Sequence, residues 1–359
     1  MTFLQNTPAQ EEPIMSDPLM LQEAREFPRL ALMQAAHNRD LLRELARRIQ
    51  RFKPRFVATV ARGSSDHAAQ FVKYAFETQL GWPVVSVAPS VVSAYHQQLQ
   101  WEGALVIAIS QSGASPDVVE PVEQARKAGA LTVAMVNSED SPLAQAAEFV
   151  VPLRAGEEKA VAATKSFLAS LTGALQLLQE LALDATLNKA MGWLPEALQS
   201  TLELESLTKA RAERFRFVEH LVVLGRGMHL AVAHETALKL KETSGIFAQA
   251  YSAAEFAHGP MRVIREGFPV LCFQGMDETR MLTSAACLAL KERGADLSGF
   301  GCGLNGESLH DLRTMPTGHR LTDPLPAMVA AYFFAGHLAL HRGLNPDAPP
   351  SLQKVTLTR

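Results

Sequence analysis

Apolar residues recur along this chain in two rhythms. Between Asp17 and about Arg51 they fall at three- and four-residue steps: Leu21, Ala24, Phe27, Leu30, Ala31 and Met33, then Leu41, Leu42, Leu45, Ile49 and Phe52. That spacing predicts an amphipathic helical arm. Pro28 is expected to break the arm or to start a helix there. After the arm, short unbroken apolar runs take over. Residues 56–61, 83–87, 106–109, 131–136 and 149–153 read as five strands, with helical patterns between most of them. A helix is expected from His67 to about Leu80 and another from Asp117 to Lys127. Continuous apolar strands alternating with helices predict a parallel, doubly wound sheet.

A second set follows. A long apolar helix runs to about Leu183, and a polar helical stretch covers roughly 196–214. Residues 220–224, 269–273 and 295–300 read as strands, 231–244 as a helix, and 325–340 as a last buried helix. The Arg-Gly pairs at 62–63 and 226–227 follow matching strands, which suggests a tandem duplication. The expected fold is therefore α/β, with two tandem doubly wound parallel-sheet domains. The expected boundaries are a disordered leader (1–16), the helical arm (17–52), a first domain (53–190), a second (191–342) and a C-terminal tail (343–359).

The stretch with most chemical content is Val106-Ile-Ala-Ile-Ser-Gln-Ser-Gly-Ala-Ser-Pro-Asp117. An apolar run stops abruptly at Ser110, Gln111, Ser112, Gly113 and Ser115. A buried strand here enters a hydroxyl-rich turn at a helix N-terminus, where backbone N–H groups are unpaired and the helix dipole is positive. Such a turn suits a phosphate. An ordinary capped loop would use the same residues, since Ser is a common cap. Gly63, Ser64 and Ser65 make a second hydroxyl-rich turn, also at a strand's carboxyl end, where ligands of doubly wound sheets sit. In the second copy the matching turn is Gln274-Gly-Met-Asp-Glu-Thr279, which is acidic and has lost most hydroxyls. Only the first copy is expected to hold a phosphate.

Candidate acid–base groups cluster in Glu235-Thr-Ala-Leu-Lys-Leu-Lys-Glu242 and Ala253-Ala-Glu-Phe-Ala-His-Gly-Pro260. Lys239 and Glu242 lie three apart on one helical face; a surface ion pair is the plain alternative. His258 precedes Gly-Pro on an expected turn, and imidazole titrates near neutrality, which suits proton transfer to sugar oxygens. Lys354 lies in the tail, where a lysine is ordinarily solvated. The loop Ala155-Gly-Glu-Glu-Lys-Ala-Val-Ala-Ala-Thr-Lys165 feeds a helix start; closing over the same site and serving as a plain loop and cap are equal alternatives on local grounds.

Composition narrows the class. A chain of 359 residues suits two α/β domains. Its net charge of −3 implies no polyanion-binding surface, so no nucleic-acid partner is expected. The histidines show no metal-ligand spacing, and no metal or cofactor is expected. Cys272, Cys287 and Cys302 are too few for a disulfide framework, which fits a reduced, cytoplasmic setting. No apolar run is long enough to span a membrane. The polar first fifteen residues lack the pattern of a signal peptide, and Met15 is a second candidate start.

Seven stretches in order carry a resemblance: Ala61-Arg-Gly-Ser-Ser-Asp-His-Ala68, Ile109-Ser-Gln-Ser-Gly113, Val161-Ala-Ala-Thr-Lys165, Leu224-Gly-Arg-Gly227, Ala237-Leu-Lys-Leu-Lys-Glu242, Glu255-Phe-Ala-His-Gly-Pro260 and Leu352-Gln-Lys354. From about residue 20 to 359 the chain resembles the double SIS (sugar isomerase) family and is similar to the isomerase half of glucosamine-6-phosphate synthase. The resemblance implies two flavodoxin-like SIS domains and a small-molecule phosphosugar as partner. It assigns Ser64, Ser65, Ser110, Gln111, Ser112 and Ser115 to a sugar-phosphate cradle, with Gly63 and Val161 in matching stretches beside it. It implies that Glu242 moves a proton between C1 and C2, assisted by Lys239, and that Lys354 forms a Schiff base with an open ketose. His258 matches a ring-opening histidine that the family supplies from a neighbouring subunit, so a homodimer with a shared active site is expected.

Departures from the synthase shape the expected reaction. The chain starts Met1-Thr2, no cysteine precedes Cys272, and only a short arm precedes the first sheet, so glutamine-dependent synthesis is not expected. Arg62 stands where the synthase has a small thiol, and Pro350 precedes the tail motif. The chain is more closely similar to SIS-type glucosamine-6-phosphate deaminases, which implies conversion of glucosamine 6-phosphate and water to fructose 6-phosphate and ammonia. The competing readings are an enzyme acting on another amino or ketose phosphate, such as galactosamine 6-phosphate or a fructosamine 6-phosphate, and a non-catalytic sugar-phosphate sensor. A sensor has little use for Lys239, Glu242, His258 and Lys354 together.

Overall fold

The computed structural model describes residues 17–303 and 310–354. The expected leader (1–16) and tail residues 355–359 lie outside the described residues. The elements run α1 (Leu19–Phe52), β1 (Phe56–Val60), α2 (Gly63–Leu80), β2 (Val84–Ser86), α3 (Pro89–Ser93), β3 (Ala104–Ser110), α4 (Pro116–Lys127), β4 (Leu131–Val136), α5 (Pro142–Ala146), β5 (Phe149–Pro152) and α6 (Lys165–Ala182). After α7 (Ala185–Leu202) and α8 (Glu205–Glu213) come β6 (His220–Gly225), α9 (His229–Ser244), β7 (Phe247–Ser252), α10 (Ala253–Ala257), β8 (Pro269–Gln274), α11 (Arg280–Glu292), β9 (Asp296–Gly301), β10 (Leu312–Arg313) and α12 (Pro324–His341).

The duplication is visible in the sheets. The first is ordered β2-β1-β3-β4-β5 and the second β10-β9-β8-β6-β7. Numbered within its own copy, each sheet reads 2-1-3-4-5, and every strand pair is parallel. This is the doubly wound order in which ligands sit near the ends of strands one and three. The helices α2 and α9, each following the first strand of its copy, pack against each other. One apolar core runs through both copies, from Phe27 and Phe71 through Leu168 to Phe273 and Phe333, with smaller clusters on the outer sheet faces. The helices α6 and α12 are buried nearly all round, which explains their continuous apolar sequences.

Several sequence expectations are corrected. Pro28 neither breaks nor starts a helix: α1 is one helix of 34 residues with Pro28 buried inside it. The cost of an interior proline, about 3 kcal/mol or more, is outweighed by burial of Phe27, Leu30 and Ala31 in a helix that packs along α6. The helix expected to begin at His67 begins at Gly63, so the hydroxyl-rich turn is the first turn of α2. The polar stretch 196–214 is parts of two helices. The first starts earlier because Asp184 caps it, accepting from the N–H of Thr186 and Leu187. Strands β7 and β10 had no clear signal. In β7 only the small Ala248 and Ala250 face inward, and β10 has two residues. Among the described residues, no helix is long and apolar enough to cross a membrane.

Candidate active site

Two strand-to-helix turns of the first copy face one another. At the end of β1, Gly63, Ser64 and Ser65 open α2 with no side-chain cap, so its first N–H groups are available to a ligand. At the end of β3, Ser110 Oγ accepts from the N–H of Gly113 at 3.0 Å, and Ser112 Oγ from Ala114 at 3.3 Å. Gly113 has φ +62°, and a Cβ there would collide with Ser141, so the turn tolerates only glycine. Arg62 joins the two turns, donating to the buried carboxylate of Asp117 at 2.9 and 3.1 Å.

Between these turns lies a cavity of about 350 Å³. Gly63, Ser64, Ser65, Ser110, Gln111, Ser112 and Ser115 line it on one side. Val161 lines it from the loop before α6, Ser166 from the first turn of α6, Lys239 and Glu242 from α9, and Leu352, Gln353 and Lys354 from the tail. The packing of α2 on α9 makes this a two-domain site: Lys239 Nζ lies 3.2 Å from Ser64 Oγ. Eleven of the twelve residues picked out from sequence thus meet at one place. His258 does not. It is exposed at the end of α10 and lines no part of the cavity.

The Lys239–Glu242 pair is not on the surface. Lys239 is 1% exposed, and its ammonium lies 2.5 Å from Glu242 Oε2 and 3.4 Å from Glu235 Oε1. Burial pulls the Lys239 pKa down, but Glu235 and Glu242 more than reverse this and raise it, so it stays an ammonium. Burial likewise opposes ionisation of Glu235, which is 0% exposed, yet Lys239 and the imidazole of His67 hold it below the usual carboxylate range. His67 Nδ1 lies 2.9 Å from Glu235 Oε2. Beneath them the Tyr332 hydroxyl is pushed well above its ordinary value by burial, then by Glu235, Glu158 and Glu242, and so stays neutral.

The opposite wall has its own ion pair. Lys354 Nζ donates to Glu158 Oε2 and to the carbonyl of Ala160, both at 2.8 Å. The fully buried Glu158 also accepts from the N–H of Thr164 and Ser166, at 2.9 and 3.0 Å, which caps α6. Burial raises its pKa, but the Lys354 charge and these N–H bonds overcome that and lower it. The cavity therefore combines two hydroxyl-rich turns, a carboxylate pressed against an ammonium, and a second amine.

The sequence profile of the SIS domain family matches residues 52–179 and 215–314. The chain belongs to the SIS domain family. Among solved structures it is similar to a protein from Silicibacter pomeroyi DSS-3 described as a candidate phosphosugar isomerase, with TM-score 0.84 and 38% identity over 92% of this chain and 100% of that one. It is equally similar in fold to the C-terminal domain of glucosamine-fructose-6-phosphate aminotransferase from Francisella tularensis, with TM-score 0.84 and 25% identity over 94% and 100% of the two chains. It is 33% identical over 313 residues to glutamine–fructose-6-phosphate aminotransferase (isomerizing) from Symbiobacterium thermophilum, covering 84% of this chain and 51% of the relative. The chain spans about half the length of the curated relatives it matches.

Within this SIS pair, the second copy shows why only the first has a cradle. Where α2 opens with Gly63, α9 opens with the buried His229, whose ring packs against Gly275. Gln274, the counterpart of Ser110, turns inward and donates to Arg280 O and Ser284 Oγ, both at 2.8 Å. The space is filled by side chains. Sequence reasoning gave no role to Glu235, His67, Glu158 or Tyr332. Glu235 had a usable signal, since residues 235, 239 and 242 share a helical face. The others meet the site only through tertiary packing.

Proposed function

We propose that this chain is a sugar-phosphate isomerase of the deaminating kind, converting glucosamine 6-phosphate and water to fructose 6-phosphate and ammonia. The observation that carries the reading is the 2.5 Å contact of Lys239 with Glu242 inside a cavity floored by two hydroxyl-rich helix starts. The N–H groups and hydroxyls at 63–65 and 110–115 hold the phosphate. Ring opening exposes the C1 aldehyde beside a C2 amine. Glu242 takes the C2 proton and returns it at C1, which becomes a hydroxymethyl group while C2 becomes an imine. Water adds at C2 and ammonia leaves, giving the ketose. The ammonium of Lys239 stabilises negative charge developing at the sugar oxygen. Lys354 is the amine suited to form an imine with the open ketose once it leaves Glu158.

Ring opening calls for a group that passes a proton to the ring oxygen, and among the described residues the lining of this copy's cavity holds no imidazole. In this proposal His258 comes from a second copy of the chain, which accords with its exposure. The deciding experiment mixes the purified protein with glucosamine 6-phosphate and follows ammonia and fructose 6-phosphate together. Equal amounts of both support the proposal. Binding without turnover moves the reading to another phosphosugar, for which epimers and fructosamine phosphates are the panel, or to a sensor.

A further inference from the structure

The first helix is capped by a residue from the other end of the chain. Pro18, which precedes α1, supplies no side-chain acceptor. Asp347, 328 positions from Leu19, does so instead. Its Oδ2 accepts from the N–H of Leu19 and its Oδ1 from Met20, both at 2.8 Å. Unpaired N–H groups and the positive helix end make a carboxylate favourable there. The backbone carbonyl of Asp347 also accepts from the N–H of Val161 at 3.0 Å, in the loop that lines the cavity. The arm grips that loop too: buried Glu23 accepts from the N–H of Lys159 at 2.5 Å and of Ala160 at 3.3 Å. Farther along the tail, Lys354 reaches Glu158 and Ala160 of the same loop.

We propose that Asp347 is a positioning residue of the cavity: by capping α1 it locks arm, loop and tail together and so sets the places of Val161 and Lys354. The inference rests on the sugar-phosphate reading of this cavity and deepens it. Asp347 does not line the cavity; it acts through its neighbours. The need for such an anchor is plain in the tail. Within 348–354 no helix or strand forms, and the backbone bond present is the weak one from Leu352 N–H to the Pro349 carbonyl at 3.4 Å. A segment without regular structure keeps a fixed course only if its ends are held, because ordering costs about 1–2 kcal/mol per residue.

The test compares the full-length chain with Asp347→Ala and Asp347→Asn. Hydrogen–deuterium exchange reads the amides of residues 19–20 and 159–161. Exchange there is expected to speed up in the alanine variant and less so in the asparagine variant, which keeps one acceptor oxygen. With glucosamine 6-phosphate, or whichever phosphosugar the wild type turns over, kcat of the alanine variant is expected to fall about 10- to 100-fold. Its Tm and its affinity for inorganic phosphate stay near wild type, since the cradle lies on other elements. Unchanged exchange at 159–161 overturns the proposal whatever the activity. Faster exchange with wild-type kcat overturns the positioning role, and joint loss of Tm, phosphate binding and kcat reduces Asp347 to a plain structural cap. A wild type that turns over no phosphosugar sinks the functional reading instead, while the exchange comparison still decides the clasp.

Discussion

Glu235 and Lys239 sit one turn apart on α9, sealed from solvent at 0% and 1% exposure, with Lys239 Nζ 3.4 Å from Glu235 Oε1. Each helps keep the other ionised, with His67 supporting Glu235 and Glu242 supporting Lys239. Removing one partner takes away part of the compensation of a buried charge, and breaking a buried pair in this way costs up to about 3–5 kcal/mol. Lys239→Met is therefore expected to destabilise the fold by that amount, measured by urea denaturation. The double variant Glu235→Gln with Lys239→Met should lose much less than the sum of the two single changes. A single Lys239→Met variant as stable as wild type would show that the pair is not a structural unit.

Glu242 differs from Glu235 in being partly open to the cavity, with 24% of its side chain exposed. Its proposed work is proton transfer, so Glu242→Gln keeps the shape and removes the base. Turnover is expected to fall about 10²- to 10⁴-fold, the range for a positioned acid–base group, with KM changed little. Steady-state kinetics separate these terms. Wild-type turnover in this variant would remove Glu242 from the mechanism.

The cradle gives a backbone test. Gly113 sits at φ +62° with its Cα facing Ser141. Gly113→Ala is expected to force the 110–115 turn open and weaken inorganic phosphate binding at least about tenfold, in line with strain of about 1–3 kcal/mol at such a position. Calorimetric titration measures it. Unaltered phosphate affinity would place the anion elsewhere.

The chain's pattern made the paired parallel sheets legible because their strands are short apolar runs, buried on both faces and closed by small polar residues. It also revealed the cradle, since hydroxyls at a strand end are a local feature. What it did not carry was the proximity of segments far apart in the chain. Nothing local to Glu158 indicates that Lys354 will reach it, and nothing near Asp117 indicates Arg62. Pro28 misled because a local rule yielded to burial along the whole arm, and β7 was missed because its inward face is alanine.

Glu205 contributes to acid stability alongside the depressed carboxylates Glu158 and Glu235. Burial pushes the Glu205 pKa up, but hydrogen bonds from Arg25 and His337 more than offset this and bring it down to about 2. Its folded pKa thus lies below the unfolded value of about 4.3. Its stabilising effect is fully present above the unfolded value and is lost as pH falls toward 2. Tm of the wild type should drop across this window more steeply than Tm of Glu205→Gln, measured by circular dichroism. Parallel curves would show that Glu205 is not the group responsible.

The exposed His258 supplies the sharpest test of a shared site. If each cavity takes Glu242 from one copy and His258 from another, Glu242→Gln and His258→Asn are each inactive alone. Unfolding the two variants together and refolding them randomises the pairs. In a mixed dimer one cavity has both residues altered and the other has both intact. Half of the dimers are mixed and each regains one of two sites, so activity should recover to about a quarter of wild type for a closed two-fold dimer. Recovery would establish that His258 acts across the interface. No recovery, with dimers present by light scattering and His258→Asn inactive alone, would mean that His258 serves its own chain and that the loop after α10 must move to reach the cavity.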